Sequence, residues 1–280
     1  LAILRTAADS PNLLTHLATA LGSIADGDEV QVEKYSQDFT AGTNLSTKDL
    51  VKVTLGPGSR SRFVAASGGA LTLVCNRTST GRFINQSSAD QVEVVSSSTS
   101  GVIYTVENKP ANVSGIFRLN TCDTDTVWQI AGTMYQQTDA DVATVIVLGG
   151  RFFARAGSAA HTTLSVNGGI AETERDAGTV NVSAGTLRVN GTAFTPTTVN
   201  LKGTGTIKVL ETGNWGTLNA ESGTIDLTEC KSFGGTTGYL FTISAGSISP
   251  GVVIRQLRGG LLPNYSGCSL PAGGPRIEYI

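Results

Sequence analysis

The sequence predicts an all-β solenoid, a chain wound into stacked coils of short parallel strands. Three observations lead there: a repeat of 16 to 19 residues through the second half, period-two alternation of apolar and polar residues inside each repeat, and 34 glycines among 280 residues, many of them gathered between the alternating runs. A period of about 18 to 20 residues is too short for a helical-hairpin repeat or a propeller blade and is enough for one solenoid coil.

The repeat is explicit from Thr126 onward. TVWQIAGTMYQQ, TVIVLGGRFFAR, TLSVNGGIAETE, TVNVSAGTLRVN, TVNLKGTGTIKV and TLNAESGTIDLT begin at Thr126, Thr144, Thr163, Thr179, Thr198 and Thr217, and a looser copy, LFTISAGSISPG, begins at Leu240. Val180, Val182, Leu187 and Val189 alternate with Asn181, Ser183 and Arg188, the sign of a strand with one buried face. Val199, Leu201, Ile207 and Val209 occupy the same places one coil on, followed by Leu218, Ala220, Ile225 and Leu227. Like residues are therefore expected to stack on like, with neighbouring coils satisfying each other's backbone groups.

Gly149–Gly150, Gly168–Gly169, Gly185, Gly203, Gly205 and Gly223 fall where the backbone must turn, a conformation glycine adopts without a Cβ clash. Thr and Asn beside those corners are placed to form hydrogen-bonded ladders between coils. The first half shows the same texture in poorer register: VKVTL before Gly56-Pro57-Gly58, then RFVAA, LTLVC, RFIN, VEVV, VIYTV and IFRLN. Dividing residues 51–260 by a period of about 19 gives 10–11 coils.

Solenoid ends expose strand edges that need covers. Ser10 followed by Pro11 is a helix start, and Leu13, Leu14, Leu17, Leu21 and Ile24 make one apolar stripe, so a short amphipathic helix is expected over the first coil or against a partner. Beyond Gly260, LLPNYSGCSLPAGGPRIEYI reads as an irregular cap or docking tail. The organisation is thus residues 1–28 as N-terminal helix and cap, 29–260 as the solenoid, and 261–280 as the tail. Leu13, Leu14, Leu17 and Leu21, with Trp215, Tyr265 and Tyr279, are the candidate interface residues.

Charge excludes some partners. Twenty Lys and Arg against 22 Asp and Glu give a net charge of −2, and mean hydropathy is +0.06. Such a chain folds, and its surface has no long-range field for a polyphosphate or an anionic bilayer, so neither nucleic acid nor membrane is expected as a partner. The apolar run Val142–Leu148 is far shorter than the roughly 20 residues that cross a bilayer, and no secretory signal opens the sequence, which reads as soluble and unexported.

Catalytic and metal chemistry find little to work with. Cys75, Cys122, Cys230 and Cys268 form no C-x-x-C pair, so no metal and no cofactor is expected. Asp123 with Asp125, Asp139 with Asp141, Glu172 with Glu174 and Asp176, and Asp226 with Glu229 are the acidic groups available to a hydrolase or lyase, and each reads as solvated loop charge. Asp123 and Asp125 alone fall short of the six to eight oxygens that calcium takes. His16, on the expected helix, and His161, in a small-residue loop, lack partners at a catalytic spacing. Gly203-x-Gly205 lies between strands and reads as a corner, not a phosphate loop. The Asn-x-Ser/Thr triplets at Asn76, Asn112, Asn181 and Asn190 carry no weight without export. Trp128 and Phe152 read as core, whereas Trp215, in GNWG, reads as an exposed loop residue. The expectation is a protein that is not an enzyme.

TVNVSAGTLRVNG and TVNLKGTGTIKV resemble the right-handed parallel β-helix proteins, which include pectin-degrading lyases, autotransporter passengers, phage tailspikes and other virion proteins. ADGDEVQVEKYSQDFTAGTNLSTKDLVKVTLGPGSRSRF is similar to the start of phage structural proteins, over residues 25–63. The resemblance implies a right-handed winding and a non-enzymatic virion protein, a capsid decoration or cement protein that binds the major capsid protein or another virion protein and stabilises the shell. It also implies a homo-oligomer, a trimer first, on a particle assembled in the host cytoplasm. The alternatives are a tailspike or adhesin that recognises a cell-surface polysaccharide, with or without cleaving it, and an autotransporter-like passenger.

Overall fold

A computed structural model describes residues 3–7, 29–35, 43–45, 52–59, 64–65, 68–69, 71–75, 82–86, 91–96, 102–111, 113–120, 123–137, 140–157, 159–190, 194–211, 214–230, 240–261, 263–270, 272 and 274–280, with side chains placed at 84–86 and, with gaps, from 105 onward. Among the described residues every regular element is a strand, and the larger strands pair in parallel. Among the described residues the chain forms a parallel β-solenoid. The expected N-terminal helix, with Leu13, Leu14, Leu17, Leu21 and Ile24, lies outside the described residues. The chain divides into two compact units, Leu1–Val142 and Ala143–Ile280.

In the first unit two files of strands climb side by side. One joins Ile3–Ala7, Glu29–Tyr35, Lys52–Ser59, Arg82–Asn85, Val102–Asn108 and Asp123–Gln129. The other joins Thr43–Leu45, Leu71–Cys75, Gln91–Ser96, Ile116–Asn120 and Thr133–Gln136. Stacked residues on the first file run Lys52, Arg82, Thr105, Thr126, separations of 30, 23 and 21 residues. A single period of about 19 therefore does not describe the spacing here, since connections of different length are tolerated between strands of a fixed frame.

Two local expectations change. Gly56-Pro57-Gly58 is not a corner but the far end of the Lys52–Ser59 strand, where Val32 pairs with Leu55 and Lys34 with Gly58, so a bulge absorbs the extra residue. Among the described residues of the RFVAA run, Val64–Ala65 pairs antiparallel with Gly68–Gly69. It is a small hairpin and not a coil strand.

In the second unit the threonine frame read from the repeats is the observed register. Thr144 pairs with Thr163, Thr163 with Thr179, Thr179 with Thr198 and Thr198 with Thr217. The last copy departs from its expected frame: Thr217 pairs with Ala245, five residues beyond the Leu240 start. The second file aligns Thr186, Thr206 and Thr224. Residues 261–280, expected to be irregular, continue both files, with Cys268–Ser269 on Gly246–Ser247 and Arg276–Tyr279 on Val253–Gln256.

The core is what the alternation predicts. Val180, Val182, Leu187, Val189, Val199, Leu201, Ile207, Val209, Leu218, Ala220, Ile225 and Leu227 are all buried, each Val, Leu or Ile side chain contributing about 1.5–3 kcal/mol on leaving water. At the corner, Gly169 and Gly185 have φ near +65° and +75°. A Cβ on Gly185 would lie 2.5 Å from the Gly169 carbonyl oxygen, and one on Gly169 would lie 2.5 Å from that of Gly150. The left-handed backbone and the stacking of corner on corner both demand glycine there.

Candidate functional site

With the apolar residues turned inward, the outward positions of each rung carry whatever chemistry the surface has. On the first file of the second unit these positions are neutral. Ser165, Asn181, Asn200 and Asn219 stack in register, and the Asn181 amide donates to Ser165 Oγ at 3.2 Å, that of Asn200 to Asn181 Oδ1 at 2.8 Å and that of Asn219 to Asn200 Oδ1 at 3.0 Å. This is the ladder expected from the Thr- and Asn-rich corners, displaced onto the strand itself.

The second file carries charge at the equivalent outward position. Glu172, Arg188, Lys208 and Asp226 follow one another in register, then Arg255 and Glu278. Glu229 lies 2.5 Å from Lys208 Nζ and 3.6 Å from Arg188, which is also 3.9 Å from Glu172. Glu278 binds Arg255 at 2.9 Å and also Arg276. Its hydrogen bonds from Arg255 first, then Arg276, hold its carboxyl below the usual glutamate range, and the same bond raises Arg255. Arg151 caps the ring of half-buried Phe153 at 5.1 Å.

These contacts account for the acidic groups singled out as catalytic candidates. Asp123 and Asp125 sit on a strand, not in a turn; Asp125 is exposed, and Asp123 Oδ1 accepts the Asp141 backbone N–H at 3.3 Å. Asp139 lies outside the described residues. Glu174 accepts the Ala156 N–H at 3.0 Å, and Asp176 accepts the N–H groups of Ala177 and Thr195 and the Thr195 hydroxyl, so both pin loops. Asp226 Oδ1 accepts the N–H and the hydroxyl of Thr228, a local turn. No three His, Cys, Asp or Glu side chains gather as a metal site among the described residues.

The histidine and aromatic positions change more. His161 is not in a loop; it opens the His161–Thr173 strand, is 1 % exposed, and its ring centre lies 6.4 Å from that of Phe152. His16 lies outside the described residues. Phe152 is core, as expected, but Trp128 is half-buried on the outer side, because Val127 and Gln129 take the inward positions. Trp215, expected as an exposed contact, is 1 % exposed and packs between Phe241, at 4.9 Å, and Phe194, at 6.5 Å. It fills the core and offers no surface. Tyr265 is half-buried with its hydroxyl enclosed, and burial raises its pKa. Tyr279 is exposed on the last strand. Cys230 and Cys268 are half-buried, and burial raises the Cys268 thiol as well.

The inner face of the first unit holds a feature that no motif announced. Asn85, Asn108 and Gln129 are buried and stacked: the Asn85 amide donates to Asn108 Oδ1 at 2.8 Å, and that of Asn108 donates to Gln129 Oε1 at 2.8 Å. Gln129 then donates to the carbonyls of Ala131 and Gly132 at 2.8 and 3.0 Å. The signal was parity, since Asn108 lies two residues beyond buried Val106.

Fold and surface together define a parallel β-solenoid whose outward side chains bond mainly from rung to rung. Comparison with protein families, with curated proteins and with solved structures finds no match.

Proposed function

We propose that the chain is a non-enzymatic structural component of a phage particle, a decoration or cement protein that binds the capsid shell and acts as a symmetric oligomer, a trimer first. The supporting observation is where the polar side chains go. Asn181, Asn200 and Asn219 bind one another, and Glu172, Arg188, Lys208 and Glu229 pair across rungs, so the surface chemistry is spent on holding coils together. That suits a stiff mechanical part. The right-handed winding follows the hand of nearly all parallel crossovers. The terminal segments, residues 1–28 and 261–280, would then meet the shell or neighbouring subunits.

The test is location. Imaging of intact particles is expected to place the protein on the capsid surface, and its controlled removal to leave shells that rupture at lower temperature. The second reading, a polysaccharide-recognising tailspike or adhesin, is favoured by the neutral hydroxyl and amide groups of the first file. Density at the tail tip, or reducing ends released from a host polysaccharide, would replace the first reading with it.

A further inference from the structure

We propose that Asn167 is a site of spontaneous deamidation that the fold promotes. Asn167 is exposed and precedes Gly168, whose amide nitrogen, with no Cβ beside it, is the least hindered nucleophile a chain can offer to a neighbouring side-chain amide. Strand pairing usually holds such an asparagine in a pleat that keeps the two groups apart. Here the register with the next rung breaks on both sides, between Val166 and Asn167 and between Asn167 and Ile170. The residue sits at a corner where the ladder is irregular, opposite Ala184 but out of step with the pairs before and after it.

The second contribution is electrostatic. The Ser183 hydroxyl donates to Asn167 Oδ1 at 2.7 Å. As the Gly168 nitrogen bonds to Cγ, that oxygen gains negative charge, and a donor already in place stabilises it. The Cγ–Nδ2 bond then breaks, and the amide NH2 leaves as ammonia with the proton lost from the Gly168 nitrogen, giving a cyclic imide. Water opens the imide: its hydroxyl adds to one carbonyl and its proton returns to the nitrogen. Opening at Cγ gives aspartate at 167, and opening at the main-chain carbonyl gives isoaspartate.

The packing also demands glycine at 168, because a Cβ there would lie 2.3 Å from the Leu148 carbonyl oxygen. A second Asn-Gly step in the same chain provides the control. Asn190 precedes Gly191, but its amide NH2 donates to Glu172 Oε1 at 3.4 Å. A carboxylate there opposes negative charge building on the adjoining carbonyl. The product at 167 places a carboxylate beside Ser183 on the neutral face, and the isoaspartyl form adds a carbon to the corner backbone.

The experiment incubates the folded, full chain in mildly alkaline buffer and follows both asparagines by peptide mapping and mass spectrometry. Asn167 is expected to convert several-fold faster than Asn190 and no more slowly than in the same chain unfolded in urea, with the rate rising with pH as the Gly168 nitrogen loses its proton. Ser183→Ala is expected to slow Asn167 several-fold in the folded protein and not in urea, whereas Ser183→Thr, which keeps the hydroxyl, retains the rate. Slower conversion in the folded chain than in urea, or a folded rate that Ser183→Ala leaves unaltered, overturns the proposal.

Discussion

Two amide ladders, one in each unit, use the same chemistry in opposite surroundings. Asn85, Asn108 and Gln129 stack inside the first unit, each at most 2 % exposed. Asn181, Asn200 and Asn219 stack on the outer face of the second, half-buried or exposed. An outer amide that loses its neighbour turns to water. An inner one has nowhere to turn, so its loss strands a buried donor and a buried acceptor. The inner ladder therefore acts on specificity: only one stacking of irregular coils satisfies Asn85, Asn108 and Gln129 together. The second unit has less need of such a pin, since its coils repeat closely enough for Thr-on-Thr and Val-on-Val stacking to settle the register.

The largest expected effect breaks the inner ladder. Asn108→Ala removes the acceptor of the Asn85 amide and the donor to Gln129 Oε1 and is expected to cost about 3 kcal/mol in urea-induced unfolding, on the scale of buried hydrogen bonds lost. Asn200→Ala, which cuts the outer ladder at its centre, is expected to cost less than about 1 kcal/mol, because water replaces the lost bonds. Equal losses at the two positions would end the distinction.

Smaller effects sharpen it through pH. Tyr265 has its pKa raised by burial, so the folded state favours the neutral phenol. That contribution is fully present below the unfolded value of about 10 and disappears as pH climbs from there toward the folded value. Phenolate absorbance should show a tyrosine titrating above the others, and stability should decline across the same alkaline range; Tyr265→Phe should remove both signatures. Glu278 is the opposite case. Its carboxyl is held low by Arg255 and Arg276, so its contribution is present above about pH 4.3 and is lost as pH falls through the folded value. Being a surface pair, it should matter least, and Glu278→Gln should shift the acid unfolding midpoint only slightly.

How much of this was legible in the sequence follows from what repeats. The second unit could be read rung by rung because Thr163, Thr179, Thr198 and Thr217 recur with apolar residues at fixed offsets, and the pairing follows those threonines. Beyond Thr217 the frame slipped by five residues, since the connection before Ala245 is longer than the others and no threonine marks its end. Trp215 was misread because glycine has two uses. Gly216 looked like a turn, yet a Cβ there would lie 2.4 Å from the Thr197 carbonyl oxygen, so the glycine allows close packing and the tryptophan beside it goes inside. Asn85 and Asn108 were passed over because polar residues in a strand are ordinarily outward, and only their parity with Val106 marks the exception. The candidate surface is half legible: Thr and Asn beside the corners predict ladders between coils, though not their place on the strand, and pairing between Lys208 and Glu229 depends on a rung-to-rung alignment that distance in the sequence conceals.

Successive coils of the second unit stack in parallel with Thr on Thr, so Asn181 and Asn200, 19 residues apart, face each other on adjacent rungs. Parallel neighbours lie about 4.8 Å apart, within the Cα separation of roughly 4.4–6.8 Å that a disulfide spans. In a background with the four native cysteines replaced, Asn181→Cys with Asn200→Cys is predicted to form a disulfide rapidly and completely on mild oxidation of the folded protein. Asn181→Cys with Thr198→Cys, displaced by two residues and about 8 Å apart, is predicted to remain reduced. Cross-linking of the displaced pair in preference to the aligned one would contradict the stacking on which the fold, and every role proposed for it, depends.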